Sequence, residues 1–199
     1  MYYPHVASEP WWTGIVAYNP STSPCEITVT PYTADGTSLA TQTRTIEAKG
    51  KYFGTIADLN LPENTSWFQI AASTSITGFE LFGTNNGNQL GGYTAVNINR
   101  NEGVFPKIEK DGWTGIAFVN IENSAAIVTL TAYDDSGSSV AIQSLTVGPH
   151  AKEVKVAESF FTQDISSATY ISFSSDKEIV GFQLNGSADG MLLDALPGM

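Results

Sequence analysis

The sequence predicts an all-β chain built as two tandem antiparallel β-sandwich domains related by internal duplication. Three observations predict it. An ordered set of residues occurs twice, apolar residues alternate with period two, and turn signals recur every ~8–12 residues.

The duplication is the strongest of the three. Trp12-Thr13-Gly14-Ile15 returns as Trp113-Thr114-Gly115-Ile116. At the same displacement Asn19 returns as Asn120, Thr28 as Thr129, Thr30 as Thr131, Tyr32 as Tyr133, Gly36 as Gly137, Gln42 as Gln143 and Lys51 as Lys152. The register then slips by two residues. Ile76, Gly78, Phe79, Leu81, Gly83 and Gly87 match Ile179, Gly181, Phe182, Leu184, Gly186 and Gly190. A chain of 199 residues accommodates one domain or two, and the repeat decides for two, at residues 1–99 and 103–199. A module of ~100 residues is large enough to bury its own core. The period is too long for solenoid or propeller repeats.

The elements follow in order. In residues 12–19 both faces are apolar, Ile15 and Ala17 on one, Trp12, Val16 and Tyr18 on the other. Gly14 and Gly115 sit mid-strand, which predicts a bulge or a close backbone approach. Residues 26–32 place Ile27 and Val29 against Thr28 and Thr30, and Val128 and Leu130 against Thr129 and Thr131 in the second copy. That is a half-buried strand with an outer threonine row. Ala34-Asp35-Gly36 and Asp134-Asp135-Ser136-Gly137 close hairpins. Further strands are expected at 38–47, 51–56, 66–72, 77–82 and 89–96, and at 139–147, 152–156, 169–174, 180–185 and 191–196. Single helical turns are expected at 57–59 and 157–161. A polar linker is expected at 97–103.

Composition bounds the function. Net charge is −11 with only 15% charged residues, and both halves are acidic. Such a field repels phosphate backbones, so no nucleic-acid partner is expected. No apolar run is long enough to span a bilayer as a helix, so no membrane insertion is expected. One cysteine, Cys25, excludes an internal disulfide. Its counterpart is Ala126, so a small buried residue is expected there. Met1 stands directly before the first repeat without a signal-peptide pattern, the expectation for a chain whose leader has been removed.

No catalytic constellation recurs. His5 and His150 occupy non-equivalent places, opposite Lys107 and Lys49, without metal-ligand spacing. No Gly-x-Ser-x-Gly elbow is present. Asp134, Asp135 and Asp189 are oxygen-rich but form no EF-hand loop, and are expected to be turn residues. No catalytic residue, metal site or cofactor is therefore assigned. Trp12, Trp113 and Trp67 are expected in the core, and Phe79 and Phe182 at equivalent buried sites. Trp11 is the extra residue where the copies differ in length. It is expected in a loop beside the amides Asn85 and Asn86, and these three are the candidate ligand contacts.

Phe105-Pro106, Trp113-Thr114-Gly115-Ile116-Ala117, Asn120, 128–134 and Gly137 give the chain a resemblance to a tandem module of secreted bacterial surface proteins, with an immunoglobulin-like or fibronectin-like β-sandwich. Copy one departs from the pattern at Tyr3 for Phe and at Pro31 for Ala. The resemblance brings no catalytic residues. It implies an extracellular or cell-surface location and a non-enzymatic role in display, adhesion or spacing. The expected function is thus a non-catalytic structural or adhesion module with a glycan or surface-protein ligand. The alternatives are a carbohydrate-binding module using loop aromatics and a glycan-active enzyme, since a glycosidase needs only two suitably spaced acids.

Overall fold

A computed structural model describes residues 1–7, 9–95 and 100–198. The chain divides into two units, Met1–Asn97 and Ile98–Met199. The first holds β1 (Tyr2–Tyr3), β2 (Trp11–Tyr18), β3 (Cys25–Tyr32), β4 (Gln42–Ile46), β5 (Lys51–Thr55), β6 (Trp67–Ala72), β7 (Thr77–Thr84) and β8 (Leu90–Thr94). The second holds β9 (Arg100–Phe105), β10 (Gly112–Asn120), β11 (Ala126–Tyr133), β12 (Ser139–Val147), β13 (Lys152–Val156), a 3-10 turn at Ala157–Phe160, β14 (Tyr170–Ser187) and β15 (Leu193–Pro197).

In the first unit two four-stranded antiparallel sheets, β1-β6-β3-β4 and β5-β2-β7-β8, enclose the core. The second unit repeats this order around one long strand. The 170–175 part of β14 pairs with β9 and β11, and the 179–187 part pairs with β10 and β15. β14 thus does the work of β6 and β7 together, where two separate strands were expected. At the corner the Asp176 carboxylate accepts the Ile127 N–H at 2.7 Å, so the ladder is bridged by a side chain and the backbone stays extended. The expected linker is also corrected. Asn97, Ile98 and Asn99 lie outside the described residues, but Arg100–Gly103 belong to β9, where Glu102 and Gly103 pair with Ser174 and Phe173. They form an edge strand matching β1.

The alternation expected for β3 is observed. Cys25, Ile27 and Val29 are fully buried, whereas on the outer row Glu26 is exposed and Thr28 and Thr30 are half-buried. β11 does the same with Val128 and Leu130, and Thr129 meets Ser144 across the strands at 3.0 Å. The cores are packed differently within one scaffold. Phe118 lies among Phe105, Phe160 and Phe173, with ring centroids 5.4–6.0 Å apart, at the position where the first unit has Ala17. There the bulk comes instead from Tyr3 stacked on Phe68 at 4.6 Å, and Phe68 corresponds to Ile171.

The duplicated asparagine has a structural task. Asn19 is fully buried. Its Nδ2 donates to the carbonyls of Ser23, Ile46 and Glu47 at 2.8, 3.0 and 3.1 Å, and its Oδ1 accepts the Ser21 N–H at 3.0 Å. It ties the end of β2, the following loop and the end of β4 together. The bond to Ile46 is the fully buried one, while the Glu47 carbonyl also accepts the Gly50 N–H at 2.8 Å and the Ser23 carbonyl the Ser21 hydroxyl at 3.0 Å.

Candidate functional site

The residues with most to offer a partner lie on the outward face of β5-β2-β7-β8. Since Ile15 and Ala17 point into the core, period two sends Trp12, Gly14, Val16 and Tyr18 outward. Register sets their neighbours. Trp12 pairs with Gly83, and Gly83 with Leu90; Gly14 pairs with Thr55 and Leu81, and Leu81 with Gly92; Val16 pairs with Phe53 and Phe79. Phe53, Phe79 and Leu90 are 71%, 40% and 61% exposed. Lys51 is the charged residue on these rows, and its ammonium lies 5.6 Å from the Phe53 ring centre. The outer face of the other sheet is instead lined with threonine.

Trp12 and Trp113 are therefore not core residues, contrary to expectation. Both are half-buried on the outside of their sheets. A strand apolar on both faces does not disclose which face turns inward. The glycines explain the geometry. Trp12 lies across Gly14 and Gly83: a Cβ at Gly14 would stand 3.1 Å from the ring, and one at Gly83 would overlap it. Trp113 lies likewise across Gly115 and Gly186. The close approach expected at Gly14 and Gly115 is thus made by an indole, and neither β2 nor β10 shows a register shift. Phe79 is also corrected to an outward position, whereas Phe182 is buried. Trp67 is buried as expected and stacks on Tyr32 at 4.3 Å, as Tyr170 does on Tyr133 at 5.1 Å.

Trp11 is not in a loop. It opens β2, pairs with Thr84 and is half-buried. Pairing does bring it to the end of the unit that carries Asn85 and Asn86, both exposed. The amides serve the local turn. Asn85 Nδ2 donates to Glu9 Oε2 at 2.7 Å, its N–H donates to the Pro10 carbonyl at 3.0 Å, and Asn86 Oδ1 accepts the Asn88 N–H at 3.1 Å.

Sequence reasoning passed over Phe53, Leu90 and Glu80. The first two were legible as alternation with Lys51 and Gly92. Glu80 is fully buried opposite Tyr93, where the second unit has Gln183. Burial, and secondarily the Glu80 charge, push the Tyr3 and Tyr93 hydroxyls well above the ordinary tyrosine range.

The acidic turns are occupied by their own hydrogen bonds. Asp134 Oδ1 accepts the Ser136 hydroxyl at 2.6 Å and the Ser136 and Ser138 N–H groups at 2.9 Å. These bonds, the Ser136 hydroxyl first, hold its carboxyl below the usual range. A depressed folded-state pKa gives stability above the unfolded value of ~3.9, lost as pH falls through the folded value. The melting difference between wild type and Asp134→Ala is thus expected to be largest near pH 7 and to shrink as pH falls below ~3.9. Thermal scans across that range check it; a gap that widens in acid would contradict it.

Among the described residues no three His, Cys, Asp or Glu side chains stand together as a metal site. No described helix is long and apolar enough to cross a membrane. His150 Nε2 lies 2.9 Å from Asn123 Oδ1, and the His5 ring lies against Phe82 at 5.6 Å.

No protein-family profile matches the sequence, and no curated protein matches it. Among solved structures, Thermotoga maritima 1070 is similar at a TM-score of 0.43 and 13% identity, over 52% of this chain and 96% of that one. The Anabaena sensory rhodopsin transducer is similar at 0.36 and 15%, over 44% and 97%. Bacteroides uniformis beta-glucuronidase 2 is similar at 0.20 and 12%, over 94% and 24%. These values are too low to carry a functional argument.

Proposed function

We propose that the chain is a non-catalytic recognition or structural module of a bacterial surface or secreted protein, docking through the outer face of β5-β2-β7-β8. One observation carries this reading: a nearly charge-free apolar face in a chain of net charge −11. Contiguous exposed apolar surface of this kind marks interaction sites in soluble domains. The hydroxyl-rich composition and the resemblance to secreted modules support an extracellular setting.

A second reading, carbohydrate recognition, is favoured by Trp12 and Trp113. Each rests on a glycine pair and is only half-buried, a disposition suited to stacking on the apolar face of a sugar ring. A glycan and matrix-protein array separates the readings. Trp12→Ala is expected to cost only about 1–2 kcal/mol of stability, because the ring is half-buried. If Trp12 anchors a ligand, the same change lowers affinity about 10-fold or more. Array signals unchanged in both Trp12→Ala and Phe53→Lys would overturn docking through this face.

A further inference from the structure

We infer that the outer face of β5-β2-β7-β8 in the first unit pairs with the same face of a second copy of this chain. The inference rests on the docking reading above and names its partner.

The relief of the face is the first argument. Phe53, Val16 and Phe79 form a row across three strands, and its two phenylalanines protrude. One step along the strands the surface is low. Trp12 lies down over Gly14 and Gly83, and the Leu81 side chain reaches over Gly92, where an added Cβ would stand 2.8 Å from it. A ridge and a floor therefore run side by side, two residues apart, or about 7 Å. A two-fold axis lying between them, in the plane of contact, sets each ridge on the partner's floor. Phe79 of one copy then faces Leu81 of the other, and the contact is self-complementary, as an isologous dimer requires. Sheets packed face to face in this way are a common arrangement, at about 10 Å separation.

Charge is the second argument. Two chains of net charge −11 repel wherever their acids approach. These rows carry no acid, and their one base, Lys51, is folded over Phe53. The face is where two copies can meet at the least electrostatic cost.

Area sets the strength. Four strands about 4.8 Å apart, each five to eight residues long, give a footprint of roughly 300–500 Å² per copy. Accessible surface removed from both copies is then on the order of 1,000 Å², the lower limit for a specific interface. That points to a reversible dimer rather than an obligate one.

Sedimentation velocity of the full chain between about 1 µM and 1 mM tests the inference. Wild type is expected to shift from monomer to dimer within that range. Phe53→Lys and Phe79→Lys replace exposed side chains, so the fold should persist by circular dichroism while dimerisation weakens at least 10-fold. Thr30→Lys, the same charge change on the other sheet's outer face, should leave it intact. Wild type that is monomeric at about 1 mM overturns the inference, as does association that Phe53→Lys and Phe79→Lys leave unaltered. If the chain is monomeric but array binding is lost in Phe53→Lys, docking stands with a different occupant. If it dimerises and the array is silent, the face serves architecture.

Discussion

Replacing Asn120 by alanine is expected to destabilise the second unit by about 2–4 kcal/mol. The side chain is fully buried. Its Nδ2 donates to the carbonyls of Ser124, Val147 and Gly148 at 2.7, 3.1 and 2.9 Å, and its Oδ1 accepts the Glu122 N–H at 2.9 Å. Each bond is worth only about 1 kcal/mol net while made, but an acceptor left buried without its donor costs about 1–3 kcal/mol. Alanine removes the donor of the buried Val147 carbonyl and one partner from each of Ser124 and Gly148, although the Gly148 carbonyl keeps the Ala151 N–H at 3.1 Å. Asn120→Asp should be no better, because it keeps the acceptor and sets a carboxylate against three carbonyl oxygens. Asn19→Ala should act on the first unit in the same way, since the constellation is repeated there. Urea unfolding, with hydrogen exchange to locate the affected unit, checks both. A loss near 1 kcal/mol would mean that water reaches the carbonyls and that the asparagine is dispensable.

Phe118→Ala is expected to cost the second unit about 3–5 kcal/mol, for a different reason. The ring is fully buried and makes edge contacts with Phe105, Phe160 and Phe173. Its removal loses transfer free energy and leaves a cavity that a packed sandwich closes only in part. Alanine is nevertheless the native residue at the matching position, Ala17, where Phe68 stands in place of Ile171. The double change Phe118→Ala with Ile171→Phe should therefore recover part of the loss, a coupling of the kind expected between residues sharing one core. Calorimetry of the two single variants and the double variant measures it. Strict additivity would show that the two cores are not interchangeable solutions.

Half of the architecture was legible because repetition and alternation are properties of the chain itself. The matched residues of the two copies do occupy matching strands, and β12 and β13 begin and end where alternation placed them. The inward row of β3 and β11 was equally plain, because only one of its two faces is apolar. β2 and β10 were ambiguous for the opposite reason. With both faces apolar, period two distinguishes two rows without saying which is inside. Trp12, Trp113 and Phe79 were accordingly placed in the core and are found on the outer face. Trp11 was assigned to a loop from a length difference between the copies, whereas that difference is absorbed before the strand begins. The corner of β14 was misjudged because an extended backbone can change sheets when a side chain such as Asp176 takes over a ladder bond.

The duplicated β-sandwich, the inward rows of β3 and β11, the turns at Gly36 and Gly137, and an acidity that disfavours nucleic acid are all written in the order and kind of the residues. Each of these is a local preference or a sum over residues. Which face of the β5-β2-β7-β8 sheet meets water is instead set by how the sheets pack. That depends on what lies above and below a strand, and nothing within the strand records it. The pairing of Trp12 with Gly83 and of Trp113 with Gly186 was decided there too. It requires residues about 70 positions apart to meet in register, so that a ring lies where a Cβ would otherwise stand.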